Sequence, residues 1–165
     1  VKLLPAMPAD VAIIHTPIAG ELGTGRINGS LAFDHYAVHA ARKVIITAER
    51  VVPEEYLRRD PNRNQIPATS VDRVVEVPWG GHPSQVPGFY DVDMPYIRDY
   101  SVRARTEEGF KNWLDEWVVS LPSREAYLDK LGAARLEKLR SVPPFGYRPR
   151  RAHEAGENRG IREAY

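Results

Sequence analysis

Three side chains capable of acid-base or carboxylate chemistry lie at or just beyond the predicted ends of strands. His15 ends a short apolar run, Glu49 ends a run rich in β-branched residues, and His82 follows a third such run. If the three strands are parallel, all three side chains project from one edge of the sheet. That edge is where open α/β sheets bind ligands. The sequence therefore predicts that His15, Glu49 and His82 converge on a substrate-binding site.

Each of these residues also has a structural interpretation. A histidine at a strand end often serves only as a hydrogen-bonding residue, and Glu49 has Arg50 and Arg73 as alternative ion-pair partners. His35 and His39 are four residues apart on a predicted helix, but no third ligand accompanies them. We interpret them as solvated surface residues and predict no metal site.

A rigid aromatic loop follows the third predicted strand. Proline removes a donor of the strand ladder and glycine permits backbone angles that other residues avoid, so residues 78–83 should stop the strand abruptly. Trp79, Gly80, Gly81 and His82 are thus predicted to form a substrate-binding loop. The alternative is a turn whose aromatic residues only cap a core.

The elements that position these residues are those of an α/β fold with a partial open parallel sheet and flanking helices. Strands are predicted at residues 10–15, 43–49 and 74–77, and a helix at 31–42 with Ser30 as its N-cap. A short helix should begin at Pro53. Helical spacing then predicts a helical C-terminal region with segments at 94–105, 107–119, 123–131 and 133–139. Residues 1–142 form the predicted domain, and residues 143–165 read as a polar tail or partner-binding arm.

The composition excludes several classes of function. The chain has 165 residues with 23 Lys and Arg against 22 Asp and Glu, which argues against a nucleic-acid or anionic-membrane surface. It has no cysteine, so disulfides and thiolate sites are excluded and a cytoplasmic setting is compatible. No run approaches the roughly 20 apolar residues of a membrane helix. The sequence also lacks the phosphate-loop, dinucleotide, H-E-x-x-H and G-x-S-x-G motifs.

The order of motifs resembles that of one known family. The matching stretches are Ile14-His15, then residues 19–24, 46–49, 75–83 and 86–90, and the helical segment 106–117. Together they resemble the C-terminal half of the A-type subunit of family I CoA-transferases, of the glutaconate CoA-transferase type. The family's Asp and Asn in the first loop are replaced here by Gly20 and Thr24. The glycine-rich N-terminal segment of the A-type subunit has no counterpart.

The resemblance implies a component of a heteromeric enzyme that moves CoA reversibly between an acyl-CoA and a carboxylate. In this family the glutamate nucleophile belongs to the B-type subunit, within a Glu-Asn-Gly type sequence, and no such sequence occurs here. The implied partners are a chain like the B-type subunit and a separate chain that supplies the N-terminal half of the A-type subunit. A split gene, a processed product or an incomplete parent chain would each account for the missing half. CoA enters as acyl-CoA substrate, with no permanently bound cofactor.

Two alternatives remain open within this resemblance. Some relatives are hydrolases that open a ring on a CoA-linked substrate with water. A non-catalytic assembly component would instead keep the interface and lose the site, an interpretation that the replacements Gly20 and Thr24 favour.

Overall fold

A four-stranded sheet forms the centre of the computed structural model, which describes residues 8–142. The strand order is β2, β1, β3, β4. Strand β1 pairs parallel with β3, β3 pairs parallel with β4, and the short β2 lies antiparallel to β1 at one edge. The strands are β1 (Ala9–Gly20), β2 (Gly25–Arg26), β3 (Ala41–Val52) and β4 (Arg73–Glu76).

The two central strands are longer than the sequence predicts. The prediction that His15 and Glu49 end their strands is wrong, because β1 continues to Gly20 and β3 continues to Val52. Pro17 does not stop β1: the ladder passes from the pair Thr16–Ala48 to the pair Ile18–Arg50. A proline is tolerated in a strand where its missing N–H is not needed by the ladder. Both side chains therefore project from a sheet face rather than from its edge.

One face of the sheet carries the main core. Alternate residues of the strands point to it, and α1 (Asp34–Ala40) covers it with Val38. The buried residues of this cluster are Ala12, Ile14, Ala19, Val38, Val44, Ile46, Ala48 and Ile66. The helix begins later than predicted, with Phe33 rather than Ser30 at the N-cap position and no side-chain cap. The short predicted helix is confirmed as α2 (Glu54–Arg58), with Pro53 at its N-cap position.

A buried carboxylate of α2 organises the loop that follows β1. Glu54 accepts hydrogen bonds from the Thr24 hydroxyl and from the Leu22 backbone N–H, the latter at 3.3 Å. Gly20 lies directly against this carboxylate, and a Cβ at this position would overlap it. Of the two replacements in this loop, Thr24 thus donates to Glu54 and Gly20 leaves the space that the Glu54 carboxylate occupies.

The helical region after the loop consists of four helices and a π-helical segment. They are α3 (Met94–Arg103), α4 (Glu107–Leu114) with the π-helical segment Asp115–Val119, α5 (Arg124–Leu131) and α6 (Ala133–Leu139). Side chains of Asp93, Thr106 and Ser123 cap α3, α4 and α5 by accepting a backbone N–H bond. Gly132 separates α5 from α6, in agreement with the predicted segments 123–131 and 133–139.

The α/β fold with an open sheet, flanking helices and a helical C-terminal region is therefore confirmed. The antiparallel strand β2 is an addition that the sequence did not reveal, so the sheet is mixed. The predicted tail, residues 143–165, lies outside the described residues. Within residues 8–142 no helix has the length and apolarity needed to cross a bilayer.

Replacing Gly20 by Ala should destabilise the protein by about 1–3 kcal/mol, because the new methyl group must displace the Glu54 carboxylate from its hydrogen bonds. Denaturant unfolding measures this change. In a Glu54→Ala background the same substitution should cost clearly less, since the overlapping group is gone. An equal cost in both backgrounds would show that Glu54 is not the neighbour that excludes a side chain.

Candidate active site

The site is built around the carboxylate of Glu49, which three segments of the chain approach. Glu49 Oε1 accepts hydrogen bonds from His15 Nε2 on β1, at 2.8 Å, and from the Tyr90 hydroxyl. Glu49 Oε2 accepts the backbone N–H of Trp79 at 2.6 Å. The Glu49 side chain is 3% exposed and that of His15 is 19% exposed. Strand β1, strand β3 and the loop 78–90 are thus joined at one buried group.

The hydrogen bonds decide the charge of this carboxylate. Burial raises the pKa of Glu49, but the bonds from His15, Tyr90 and the Trp79 N–H lower it further than burial raises it. The net pKa lies below the ordinary value for a glutamate, so Glu49 is ionised at neutral pH. Burial and the hydrogen bond to this anion together raise the pKa of Tyr90, which keeps its hydroxyl protonated and donating.

The same carboxylate holds Trp79 in an unusual backbone conformation. Trp79 has φ of 62°, in the left-handed region that non-glycine residues seldom occupy. Glu49 accepts its N–H and the Arg124 guanidinium donates to its carbonyl oxygen, so both sides of the residue are fixed. The Trp79 ring stacks on Tyr90 with ring centroids 4.3 Å apart. These contacts stabilise a loop conformation that the chain alone disfavours.

Gly80 and Gly81 let the loop lie directly on the sheet. A Cβ at Gly80 would lie 2.5 Å from His15 Cε1, and one at Gly81 would lie 2.6 Å from Val86 Cγ2. The Gly81 backbone N–H also donates to the Tyr90 hydroxyl at 2.9 Å. Both glycines therefore serve close packing between the loop and the Glu49 network.

His82 points away from this network and into the helical region. Its side chain is fully buried, with Nε2 3.0 Å from Asp93 Oδ2 and Nδ1 2.6 Å from the Tyr127 hydroxyl. Asp93 also accepts two hydrogen bonds from the Arg135 guanidinium, at 2.6 and 2.9 Å, and caps α3 through the Tyr96 N–H. Burial raises the pKa of Asp93, but the bonds from His82 and Arg135 outweigh it and leave the pKa well below the ordinary range.

A polar pocket of about 670 Å³ lies beside the loop. Tyr90 and Pro87 form part of its wall, and Asn28 is held against the loop by a 3.4 Å hydrogen bond to the Pro87 carbonyl oxygen. Its other lining residues include side-chain amides and one guanidinium, namely Asn62, Gln65, Gln85 and Arg63. The pocket therefore offers several neutral hydrogen-bonding groups together with one positively charged residue, Arg63, and one negatively charged residue, Asp91. Tyr90 joins this pocket to Glu49.

The structure brings His15, Glu49, Trp79, Gly80 and Gly81 together and directs the His82 ring elsewhere. It pairs Glu49 with neither Arg50 nor Arg73. Trp79 and Tyr90 also belong to a small core with Val86, so the loop packs a core and binds the Glu49 network at once.

The sequence interpretation did not identify several residues that hold the site, namely Asp93, Arg124, Tyr127 and Arg135. Their contacts join residues far apart in the chain, which periodicity does not reveal. Two other residues of the site carried a signal through their place in a matching stretch: Tyr90 in 86–90, and Thr47 in 46–49, whose hydroxyl lies 2.9 Å from His15 Nδ1. Among residues 8–142 no group of three or more His, Asp and Glu is arranged to hold a metal ion.

Replacing Glu49 by Gln should destabilise the protein by about 2 kcal/mol or more, because the amide cannot accept all three hydrogen bonds and leaves a buried donor unpaired. Denaturant unfolding measures the loss, and near-UV circular dichroism reports the Trp79–Tyr90 stack. The control is Glu55→Gln, at an exposed glutamate of α2. Wild-type stability and an unchanged aromatic spectrum would contradict a central role for Glu49.

Asp93 should make stability depend on pH. Because its pKa in the folded protein is lowered, its contribution is complete above the unfolded pKa of about 3.9 and is lost as the pH falls through the lower folded value. The Asp93→Asn variant should thus lose stability less steeply under acid, though not with zero slope, because the pKa of Glu49 is also lowered. Unfolding free energies across acidic pH test this, with the exposed Glu107→Gln as control. A wild-type slope in Asp93→Asn would refute it.

Comparisons with known proteins agree with this arrangement of strands and loops. A scan against protein-family models finds no match. The A-type subunit of glutaconate CoA-transferase from Acidaminococcus fermentans is 44% identical over 89% of this chain and 46% of the relative. The crystal structure of glutaconate CoA-transferase from this organism superimposes with a TM-score of 0.80 at 44% identity, over 86% of this chain and 44% of that one.

Two more distant relatives have different activities in their names. The A-type subunit of 3-oxoadipate CoA-transferase from Pseudomonas knackmussii is 31% identical over 70% of this chain and 40% of its own length. The IpdA component of the cholesterol ring-cleaving hydrolase from Rhodococcus jostii is 31% identical over 70% of this chain and 40% of its own length. The chain spans less than half the length of each of these relatives. It belongs to the family I CoA-transferases, as a relative of their A-type subunits.

Proposed function

We propose that this chain is a component of a heteromeric CoA-transferase that moves CoA reversibly between an acyl-CoA and a carboxylate. It would form part of the acyl pocket and of the interface between subunits, with the glutamate nucleophile on a partner like the family's B-type subunit. A separate chain would supply the N-terminal half of the A-type subunit. CoA is then a substrate, carried as a thioester, and the enzyme holds no permanent cofactor. We place this chemistry in the cytoplasm.

The burial and hydrogen bonding of the Glu49 carboxylate are the observation that carries this proposal. A nucleophilic carboxylate needs a free oxygen lone pair directed at the thioester carbonyl. Oε1 of Glu49 accepts hydrogen bonds from His15 and Tyr90, Oε2 accepts the Trp79 N–H, and the side chain is 3% exposed, so its remaining lone pair is not open to a substrate. These contacts favour a positioning role for Glu49 and a nucleophile on another chain.

The loop and its pocket are suited to the binding role. Tyr90 is hydrogen-bonded to Glu49 and also lines the polar pocket, so the Glu49 network fixes one of the pocket walls. We propose that Glu49, His15, Trp79, Gly80 and Gly81 act on the substrate through this wall. His82 would act further away, by joining the loop to Asp93 and Tyr127.

The proposed reaction keeps the energy of the thioester throughout. The partner's glutamate attacks the thioester carbonyl and releases CoA thiolate, which leaves a mixed anhydride between the acyl group and the enzyme. The thiolate then attacks the glutamyl carbonyl, giving a glutamyl-CoA thioester and the free carboxylate product. A second carboxylate reverses these steps and leaves with CoA. Water must be excluded, because it would hydrolyse either intermediate.

A ring-opening hydrolase is the second candidate, and the 31% identity to the cholesterol ring-cleaving hydrolase component favours it. The 44% identity to a transferase over a larger share of this chain supports the transferase more strongly. Measuring CoA exchange between an acyl-CoA and a carboxylate, against carbon-carbon cleavage, distinguishes the two.

The third candidate is a non-catalytic assembly component. In that case Glu49→Ala and His82→Ala would leave the activity of the complex within about twofold of wild type, a change of about 0.4 kcal/mol in activation free energy.

Trapping should locate the nucleophile on the partner. We expect that the complex with the B-type subunit, incubated with glutaconyl-CoA and then treated with hydroxylamine or borohydride, carries a modified glutamate on that partner, because both reagents react with the glutamyl thioester. Peptide mass spectrometry identifies the position, and a sample without glutaconyl-CoA is the control. Modification of Glu49 or Glu76 in this chain would overturn the assignment.

A further inference from the structure

Part of the sheet face opposite α1 is exposed to solvent and apolar. The loop 78–90 covers the part of this face nearer the C-terminal ends of β1 and β3, where His15, Thr47 and Glu49 lie. Toward the N-terminal ends of the strands, Ile13 and Val11 on β1 are 67% and 50% exposed, and Val75 on β4, which pairs with Thr47, is 48% exposed. The parallel register places Ile13 beside Ile45, and Val75 is the diagonal neighbour of Ile45 on β4, so these side chains reach across three strands. We call this strip, Val11, Ile13, Ile45 and Val75, the open face.

Parallel strands are normally covered on both faces, because each crossover places a helix against the sheet. Here α1 covers the opposite face through Val38, whereas Val11 and Ile13 on the open face stay at least half exposed in residues 8–142. Transfer of large apolar side chains such as Ile13 from water to a covered interface is favourable. An exposed apolar strip of this kind marks an interaction site.

The relatives indicate what covers it. The A-type subunit of glutaconate CoA-transferase matches this chain over only 46% of its own length, and its crystal structure over 44%. More than half of that polypeptide therefore lies beyond the part that this chain matches. Resting on the proposed function, we propose that the open face binds an amphipathic α-helix from the remaining half of the A-type subunit.

The charges around the strip define the helix further. Besides the buried Glu49, the charged side chains on the strand positions of this face are Lys43 and Arg73, both basic and both exposed. Lys43 is partly neutralised by Asp72, whose carboxylate lies 2.8 Å from its ammonium group. Arg73 lies beside Ile45 in the sheet register, at the edge of the strip. The bound helix should therefore carry acidic residues next to its apolar stripe, on the side that faces Arg73.

The cysteine-free sequence allows a direct test by thiol labelling. The full chain is coexpressed with the part of the Acidaminococcus fermentans A-type subunit that it does not match, as Ile13→Cys and as the matched control Val119→Cys. Val119, on the π-helical segment, is 69% exposed, close to the 67% of Ile13. Labelling rates with a maleimide are compared with those of each variant alone. No catalytic activity is needed, so the result is independent of whether the complex transfers CoA.

We expect a complex in which labelling of Ile13→Cys slows by about tenfold or more while Val119→Cys labels as it does alone, because a covered thiol reacts only in the dissociated fraction. Ile13→Asp should weaken the complex about tenfold, and Arg73→Glu should weaken it in a salt-dependent way. Circular dichroism confirms that each variant is folded.

Three results would overturn the proposal. The first is a complex with unchanged Ile13→Cys labelling, or no complex at all. The second is concentration-dependent protection in the isolated chain, which would mean that a second copy covers the open face. The third is protection at every concentration that disappears when residues 143–165 are removed, which would mean that the chain's own tail covers it.

Discussion

The buried anion of Glu49 is the interaction on which the site depends. An ionised carboxylate away from water is unfavourable unless strong hydrogen bonds compensate for lost hydration. Here the compensation comes from His15, Tyr90 and the Trp79 N–H, which lie on three separate segments. Because each donor would be left unpaired without the carboxylate, the arrangement is cooperative. The loop cannot move away from the sheet without leaving a buried charge unsatisfied.

A second buried carboxylate, Asp93, fixes the other side of the same loop. It accepts hydrogen bonds from His82 in the loop, from Arg135 on α6 and from the first turn of α3. Residues 79 and 82 are therefore tied in opposite directions, one toward the sheet and the other toward the helices. The loop is held between two anions rather than by apolar packing alone, which explains how Trp79 keeps a positive φ.

How much of this could be predicted depends on the range of the interaction. Alternating and β-branched runs revealed the three parallel strands, and the glycines and prolines revealed the loop at 78–83. The strand ends were misjudged because the ends of the apolar and β-branched runs were taken as the ends of the strands, whereas the ladder continues past Pro17 to Gly20 and Val52. Glu54 and Asp93 were missed as centres of hydrogen bonding because their partners Thr24 and Arg135 are 30 and 42 residues away. Such pairings depend on tertiary structure, which local periodicity does not encode.

Strand β1 connects the site to the open face. Val11, Ile13 and His15 are alternate residues of one strand and project from the same side of the sheet. The first two are exposed, while His15 lies against Gly80 and donates to Glu49. A helix bound over the open face would border the loop that carries Trp79 and would reduce the access of water to His15. Since a thioester intermediate survives only where water is excluded, assembly of the two halves and protection of the reaction would then depend on the same surface.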